Sequence, residues 1–174
     1  MVSRVIPVEP FDLVIFGGTG DLARRKILPG LFRRFIAGQM PDSAQIIGAA
    51  RAEYDADGYR EFVRQSLSEF GPNDASKEVT EAFLNSLGYV AVDAKGTNGW
   101  PELASKMRDG HVRAFYFSVA PALFGDLADR LHCYKIVLPD SRIVVEKPFG
   151  HDLGSAKLLN ATLAQYFSED QIYR

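Results

Sequence analysis

Leu13-Val14-Ile15-Phe16-Gly17-Gly18-Thr19-Gly20-Asp21-Leu22-Ala23 is the stretch whose reading decides the fold. Its first four residues are apolar on both faces of a pleat, as a central parallel strand covered by helices on each side has to be. Glycines then end the strand, and the residues that follow repeat with a helical period. Read as GxGxxA, the turn gives each small residue a steric task. Gly18 and Gly20 permit a tight bend and close approach of a pyrophosphate, and Ala23 lets helix and strand pack closely. The first N–H groups of the helix lack partners within it, and with the helix dipole they favour an anion at that end. A carboxylate there repels one, so Asp21 is expected to cap the helix, its side chain turned onto local backbone donors.

Working outward, β-branched and aromatic runs recur at Asp12–Gly17, Gln45–Ala50, Gly88–Asp93, Val112–Val119 and Arg142–Glu146. Helical periods fall between them at Asp21–Ala37, Ala56–Phe70, Lys77–Ser86, Trp100–Asp109, Ala122–Leu131 and Leu153–Tyr166. This alternation predicts an α/β fold, a Rossmann-like doubly wound, mostly parallel sheet with helices on both faces. Residues 1–174 read as one dinucleotide-binding domain. Pro29 interrupts the first helical pattern, where its missing N–H must either kink the helix or restart it.

The bulk numbers narrow the function classes. The chain has 174 residues, is 47% hydrophobic, and sets 20 basic against 22 acidic side chains for a formal charge of −2. That size supports one substantial core, and that charge gives no field favouring nucleic acid or an anionic membrane. Neither is expected as a partner. A single cysteine, Cys133, excludes a disulfide framework and suits a reducing, cytoplasmic location; it is expected to be a small buried side chain. Met1 to Pro10 lack the apolar run of a signal peptide, and Ala114–Phe124 is too short to span a bilayer. The neighbours His132 and Cys133 do not share a helix face, so no metal site is expected there.

Cofactor choice rests on the end of the second strand. Sites for NAD place an acid there to accept from the ribose hydroxyls, and sites for NADP place an arginine. Here Gly48-Ala49-Ala50-Arg51 ends in a base, with the nearest acid, Glu53, two residues on. NADP is the expected cofactor, its 2′-phosphate gripped by the Arg51 guanidinium. Arg24, Arg25 and Lys26 add positive charge that either helps hold phosphate or forms a solvated face. At the end of the fifth strand Lys147 is placed to donate to cofactor or substrate, with Glu146 orienting it and Pro148 fixing the turn; a surface ion pair is the plainer alternative.

Together, Gly17-Gly18-Thr19-Gly20-Asp21-Leu22-Ala23-Arg24-Arg25-Lys26-Ile27-Leu28-Pro29, Gly48-Ala49-Ala50-Arg51 and Glu146-Lys147-Pro148-Phe149-Gly150 resemble the glucose-6-phosphate dehydrogenase family over the whole chain. The resemblance implies that Gly17, Gly18, Thr19, Gly20, Asp21, Leu22 and Ala23 hold the pyrophosphate, Arg51 the 2′-phosphate, and Lys147 both NADP and glucose 6-phosphate. It also implies that Asp93 and Ala94, at the third strand's end, and Tyr116, on the fourth, line the cofactor site; Tyr116 reads equally well as a core aromatic. The family often has alanine where Gly18 stands, a difference of one methyl group.

In that family the residues directly after the sixth strand contain sugar-phosphate ligands, and a second domain carries the general-base histidine and the dimer interface. None of His111, His132 and His151 matches the base, so the 174 residues alone are expected to bind cofactor, remain monomeric and turn over negligibly. Any face meant for that second domain would be left exposed and prone to aggregation. Two alternatives stand beside this reading: a non-catalytic NADP-binding module, and a sugar oxidoreductase related to glucose–fructose oxidoreductase. The Asp-Leu-Ala-Arg-Arg-Lys run argues against the latter. The absence of Tyr-x-x-x-Lys argues against a short-chain dehydrogenase.

Overall fold

Strands that are apolar on both faces need two helical layers, and the chain supplies them in sequence order. The computed structural model describes residues 9–146 and 152–174. Strands β1 (Phe11–Phe16), β2 (Gln45–Ala50), β3 (Leu87–Ala91), β4 (Val112–Phe117), β5 (Arg142–Val145) and β6 (Ile172–Tyr173) form one sheet in the order β3-β2-β1-β4-β5-β6. Every pairing is parallel. Around it lie α1 (Leu28–Ile36), α2 (Ala56–Phe70), α3 (Lys77–Asn85), α4 (Trp100–Lys106), α5 (Phe124–Cys133) and α6 (Leu153–Ala164).

The period-2 alternation of the strands divides the core. Leu13 and Ile15 of β1, with Ile46 and Tyr89, pack beneath α1, α2 and α3 against Leu28, Phe32, Val63 and Phe83. Val14 and Phe16 face the other way, with Ile47, Phe115 and Phe117, and meet Trp100, Leu103, Leu127 and Leu163 from α4, α5 and α6. Side chains at the helix starts supply missing partners: Asp55 accepts from Gly58 N–H at 2.6 Å, and Ser76 from Val79 N–H at 3.2 Å.

Pro29 sits in the first turn of α1 without stopping the helical backbone, which continues through residues 21–36. A π turn, Ala23–Ile27, precedes it, and Leu28 N–H reaches back five residues to the Ala23 carbonyl. The next donor in that pattern is Pro29, which has none, so the Arg24 carbonyl loses its helical partner. Ser66 on α2, fully buried, donates its Oγ to that carbonyl at 2.5 Å. A buried serine in an apolar layer is thereby accounted for by the proline on a neighbouring helix.

Cys133 is exposed rather than buried. It falls in the last turn of α5 on the side away from the sheet, where Leu127 and Leu131 take the core positions. His132 spends its ring on the Tyr166 carbonyl, 2.6 Å from Nε2. No helix among the described residues is long and apolar enough to cross a membrane.

At the amino edge of the sheet, opposite the glycine turn, Asp12 is completely buried. Arg108 donates to its carboxylate from the backbone N–H at 2.9 Å and from Nε at 2.8 Å, and gives Nη2 to the Ser43 carbonyl at 2.6 Å. The start of β1 and the loops before β2 and β4 are thus tied at one carboxylate. Because Arg108 stays partly exposed and can turn to water, Asp12→Ala is expected to cost about 3 kcal/mol, the lower end for a broken buried pair. Urea denaturation measures it.

Candidate functional site

After β1 the chain proceeds to β2 on one side, and after β3 it crosses to β4 on the other. Loops leaving the carboxyl ends of β1 and β4 therefore diverge and open a crevice, the position at which doubly wound sheets take ligands. A cavity of about 640 Å³ lies there. It is bounded by Gly17, Thr19 and Gly20 after β1, by Ala50 and Arg51 at the end of β2, and by Asp93, Ala94 and Lys95 beyond β3. Val119 and Ala120 after β4, with Leu123 and Leu127, close its other wall.

The glycine turn is shaped by how closely backbone meets backbone. Gly17 has φ +81°, and a Cβ there would lie 2.0 Å from the Ser118 carbonyl oxygen. Its N–H donates to the Ala49 carbonyl at 2.8 Å, fastening the turn to β2. Gly20 N–H closes the turn onto the Gly17 carbonyl at 2.9 Å, and Arg24 N–H begins the helix on the Gly20 carbonyl at 3.0 Å. Gly18 is buried. A Cβ on it would come within 2.9 Å of Gly48 Cα and 3.0 Å of the Tyr59 hydroxyl oxygen. In this chain the methyl group of the alanine common at that place would have to displace those two neighbours, so the glycine is tied to them.

Tyr59, fully buried on α2, supports the turn from below. Its hydroxyl donates to the Gly18 carbonyl at 2.9 Å, and burial pushes its ionisation well above the ordinary phenol range, so it stays a donor. The ring occupies the space that a side chain on Gly48 would need, 2.3 Å from an added Cβ. On the far rim, the fully buried Trp100 donates its indole N–H to the Asp93 carbonyl at 2.8 Å. The Asp93 carboxylate accepts from Lys95 N–H at 3.0 Å. Neither Tyr59 nor Trp100 stands out in the sequence as a site residue; the one signal is Gly48, a glycine inside a strand, which marks close approach.

The charged residues are divided more sharply than their sequence positions suggest. Arg51 is exposed, lines the cavity, and has no hydrogen bond or ion pair to any described residue. Arg24 instead pairs with Glu69 at 2.8 Å and Arg25 with Asp21 at 2.7 Å, both guanidinium groups 5.1 Å from the centre of the Phe70 ring. That ion pair raises Arg25 further above its ordinary value. These two arginines are therefore committed to α2 and to Asp21, not to the cavity. Asp21 itself takes an i,i+4 partner in place of the expected backbone cap, because it already lies inside the first helical turn, one turn ahead of Arg25.

Of the sequence-predicted residues, Gly17, Thr19, Gly20, Arg51, Asp93 and Ala94 border one cavity. Gly18, Asp21, Leu22 and Ala23 do not border it; Ala23 is wholly buried in the helix–sheet packing. Tyr116, half-buried on β4, gives its hydroxyl to the Glu146 carboxylate and borders no part of the cavity. Lys147 and His151 lie outside the described residues. Among the described residues the lining contains no histidine or cysteine, and these walls provide shape, backbone donors, the Asp93 carboxylate and the cations Arg51 and Lys95.

A family model described as "Glucose-6-phosphate dehydrogenase, NAD binding domain" matches residues 14–174. The chain is 46% identical to a glucose-6-phosphate 1-dehydrogenase of Rhizobium meliloti (strain 1021), over 100% of its own length and 36% of that protein's. A crystal structure of glucose-6-phosphate 1-dehydrogenase from Mycobacterium avium superposes with a TM-score of 0.87 at 33% identity, covering 96% of this chain and 36% of that one. A glucose-6-phosphate dehydrogenase in complex with its substrate glucose 6-phosphate superposes at 0.85, also 33% identical, covering 100% and 37%. The chain thus spans about a third of the length of these relatives.

The glycine turn sets a stability requirement that does not depend on any ligand. Gly17→Ala places a methyl group in a left-handed conformation and against a backbone carbonyl. It is expected to lose at least about 1–2 kcal/mol, read as a lowered thermal unfolding midpoint, whereas Gly38→Ala, at φ +69° with open space around it, bears only the conformational share.

Proposed function

Since the chain belongs to the glucose-6-phosphate dehydrogenase family as its NAD-binding domain, we propose that it forms the NADP site of an enzyme oxidising glucose 6-phosphate to the phosphogluconolactone, the entry reaction of the pentose phosphate pathway. The observation that carries the choice of NADP is Arg51, at the end of β2 on the cavity wall, with no partner among the described residues. Glu53, the acid nearest to it in sequence, borders a different hollow with Tyr54, Asp55 and Tyr89, so it is not set to accept from a ribose in the main crevice.

The walls fit a phosphorylated dinucleotide. Gly17, Thr19 and Gly20 offer backbone at the start of a helix whose first N–H groups have no partners within it, the arrangement that binds a pyrophosphate. Gly18, Leu22 and Ala23 serve that function indirectly, by letting the turn, β2 and the helix close up. Asp21 holds Arg25 and keeps that guanidinium from competing for phosphate. Arg51 would receive the 2′-phosphate on its guanidinium, and Asp93 and Ala94 form the far rim. When bound, NADP supplies the hydride acceptor for the oxidation. Tyr116 acts on Glu146 rather than on the cofactor, and Glu146 precedes Lys147, which we assign to both NADP and the sugar from the family motif Glu-Lys-Pro-Phe-Gly. The proton from the sugar's anomeric hydroxyl is assigned to the family's general-base histidine, and no histidine lines these walls among the described residues.

A charge-assisted contact of this type is worth about 1.5–3 kcal/mol. Arg51→Ala is therefore expected to weaken NADP binding by at least about tenfold while leaving NAD within twofold, measured by calorimetric titration of each. Equal loss for both cofactors would assign Arg51 to folding instead.

A further inference from the structure

Arg51 follows β2 in a bend, outside the ladder that holds Ala50. A long side chain with no partner among the described residues carries about 2 kcal/mol of rotamer entropy, so aiming it at one phosphate requires that its backbone be fixed. That backbone is fixed from one side chain. Tyr89, on β3 opposite Gly48 in the register, places its hydroxyl against the carbonyls of Ala50, at 3.2 Å, and of Ala52. The Ala50 carbonyl already accepts from Val92 N–H at 2.9 Å, so what the phenol adds is its hold on Ala52, the residue after Arg51.

We propose that Tyr89 is a positioning residue for cofactor choice: by donating its hydroxyl to the Ala52 carbonyl, next to Arg51, it holds the guanidinium ready for the 2′-phosphate, and so favours NADP over NAD. The ring is itself held. It packs 4.8 Å from Tyr59, centroid to centroid, and 5.6 Å edge-on from Tyr54. Tyr59 in turn holds the Gly18 carbonyl, so two touching phenols fix the two phosphate-facing loops relative to each other. Burial raises the Tyr89 phenol to about 12, which keeps its proton available as a donor throughout the neutral range.

This rests on the assignment of the 2′-phosphate to Arg51, and the test separates the two. Tyr89→Phe keeps the ring and its stacking and removes only the hydroxyl. NADP and NAD are titrated into the parent protein, Tyr89→Phe, Arg51→Ala and the double variant. The expected result is about fivefold weaker NADP binding for Tyr89→Phe, the size of one neutral hydrogen bond, with NAD unchanged. The double variant is then no weaker for NADP than Arg51→Ala alone, because the hydroxyl acts through the arginine. If Arg51→Ala weakens NADP and Tyr89→Phe does not, or if Tyr89→Phe weakens both cofactors equally, the proposal is overturned and the Arg51 assignment survives. If Arg51→Ala leaves NADP unchanged, the assignment itself fails and the proposal with it. A Tyr89→Phe chain that does not fold assigns the hydroxyl to stability and overturns the proposal as well.

Discussion

The site depends on backbone meeting backbone where β1, β2 and β4 end. A Cβ at Gly17 would sit 2.0 Å from the Ser118 carbonyl oxygen, and one at Gly48 would sit 2.3 Å from the Tyr59 ring. Only with those side chains absent can β4 approach the glycine turn, and only then can a phenol from α2 reach the Gly18 carbonyl from below. The turn is therefore held from three directions before any ligand arrives. A donor array fixed in advance costs little reorganisation on binding, which is how a short loop can hold a doubly charged pyrophosphate.

The same economy governs charge. Four cations, Arg24, Arg25, Lys26 and Arg51, lie near the turn in sequence or in space, yet Arg24 and Arg25 are satisfied by Glu69 and Asp21 across the Phe70 ring. That leaves Arg51 as the arginine on the cavity wall. With Arg24 and Arg25 paired, the positive charge on the cavity wall comes from Arg51 and Lys95, and the 2′-phosphate is what distinguishes NADP from NAD. The wide helical turn ahead of Pro29 and the buried hydroxyl of Ser66 belong to the same local design, since they let the helix continue past a residue that cannot donate.

Much of this was legible in the residues. Leu13 to Phe16 announced a central parallel strand, the runs at Gln45–Ala50 and Val112–Val119 its neighbours, and the glycines the turn between sheet and helix. Periodicity is local, so it survives translation into structure. What did not survive were judgements about where a particular side chain goes. Asp21 found Arg25 one helical turn away, Cys133 fell on the outer side of α5, and Tyr116 met Glu146 just past the end of β5. Each depends on which neighbour is near in space. Tyr59, Tyr89 and Trp100 were illegible for the same reason: their hydroxyl or indole groups act on carbonyls 41, 39 and 7 residues away, and nothing in the sequence pairs them.

The central claim is that the crevice between β1 and β4 holds NADP with its 2′-phosphate on Arg51. A crystal structure of the protein grown with NADP tests it most directly. The account predicts the pyrophosphate against the backbone of Gly17, Thr19 and Gly20, with the 2′-phosphate within hydrogen-bonding distance of the Arg51 guanidinium. A dinucleotide bound elsewhere, or one in this crevice whose 2′-phosphate points to solvent while Arg51 turns away, would contradict it.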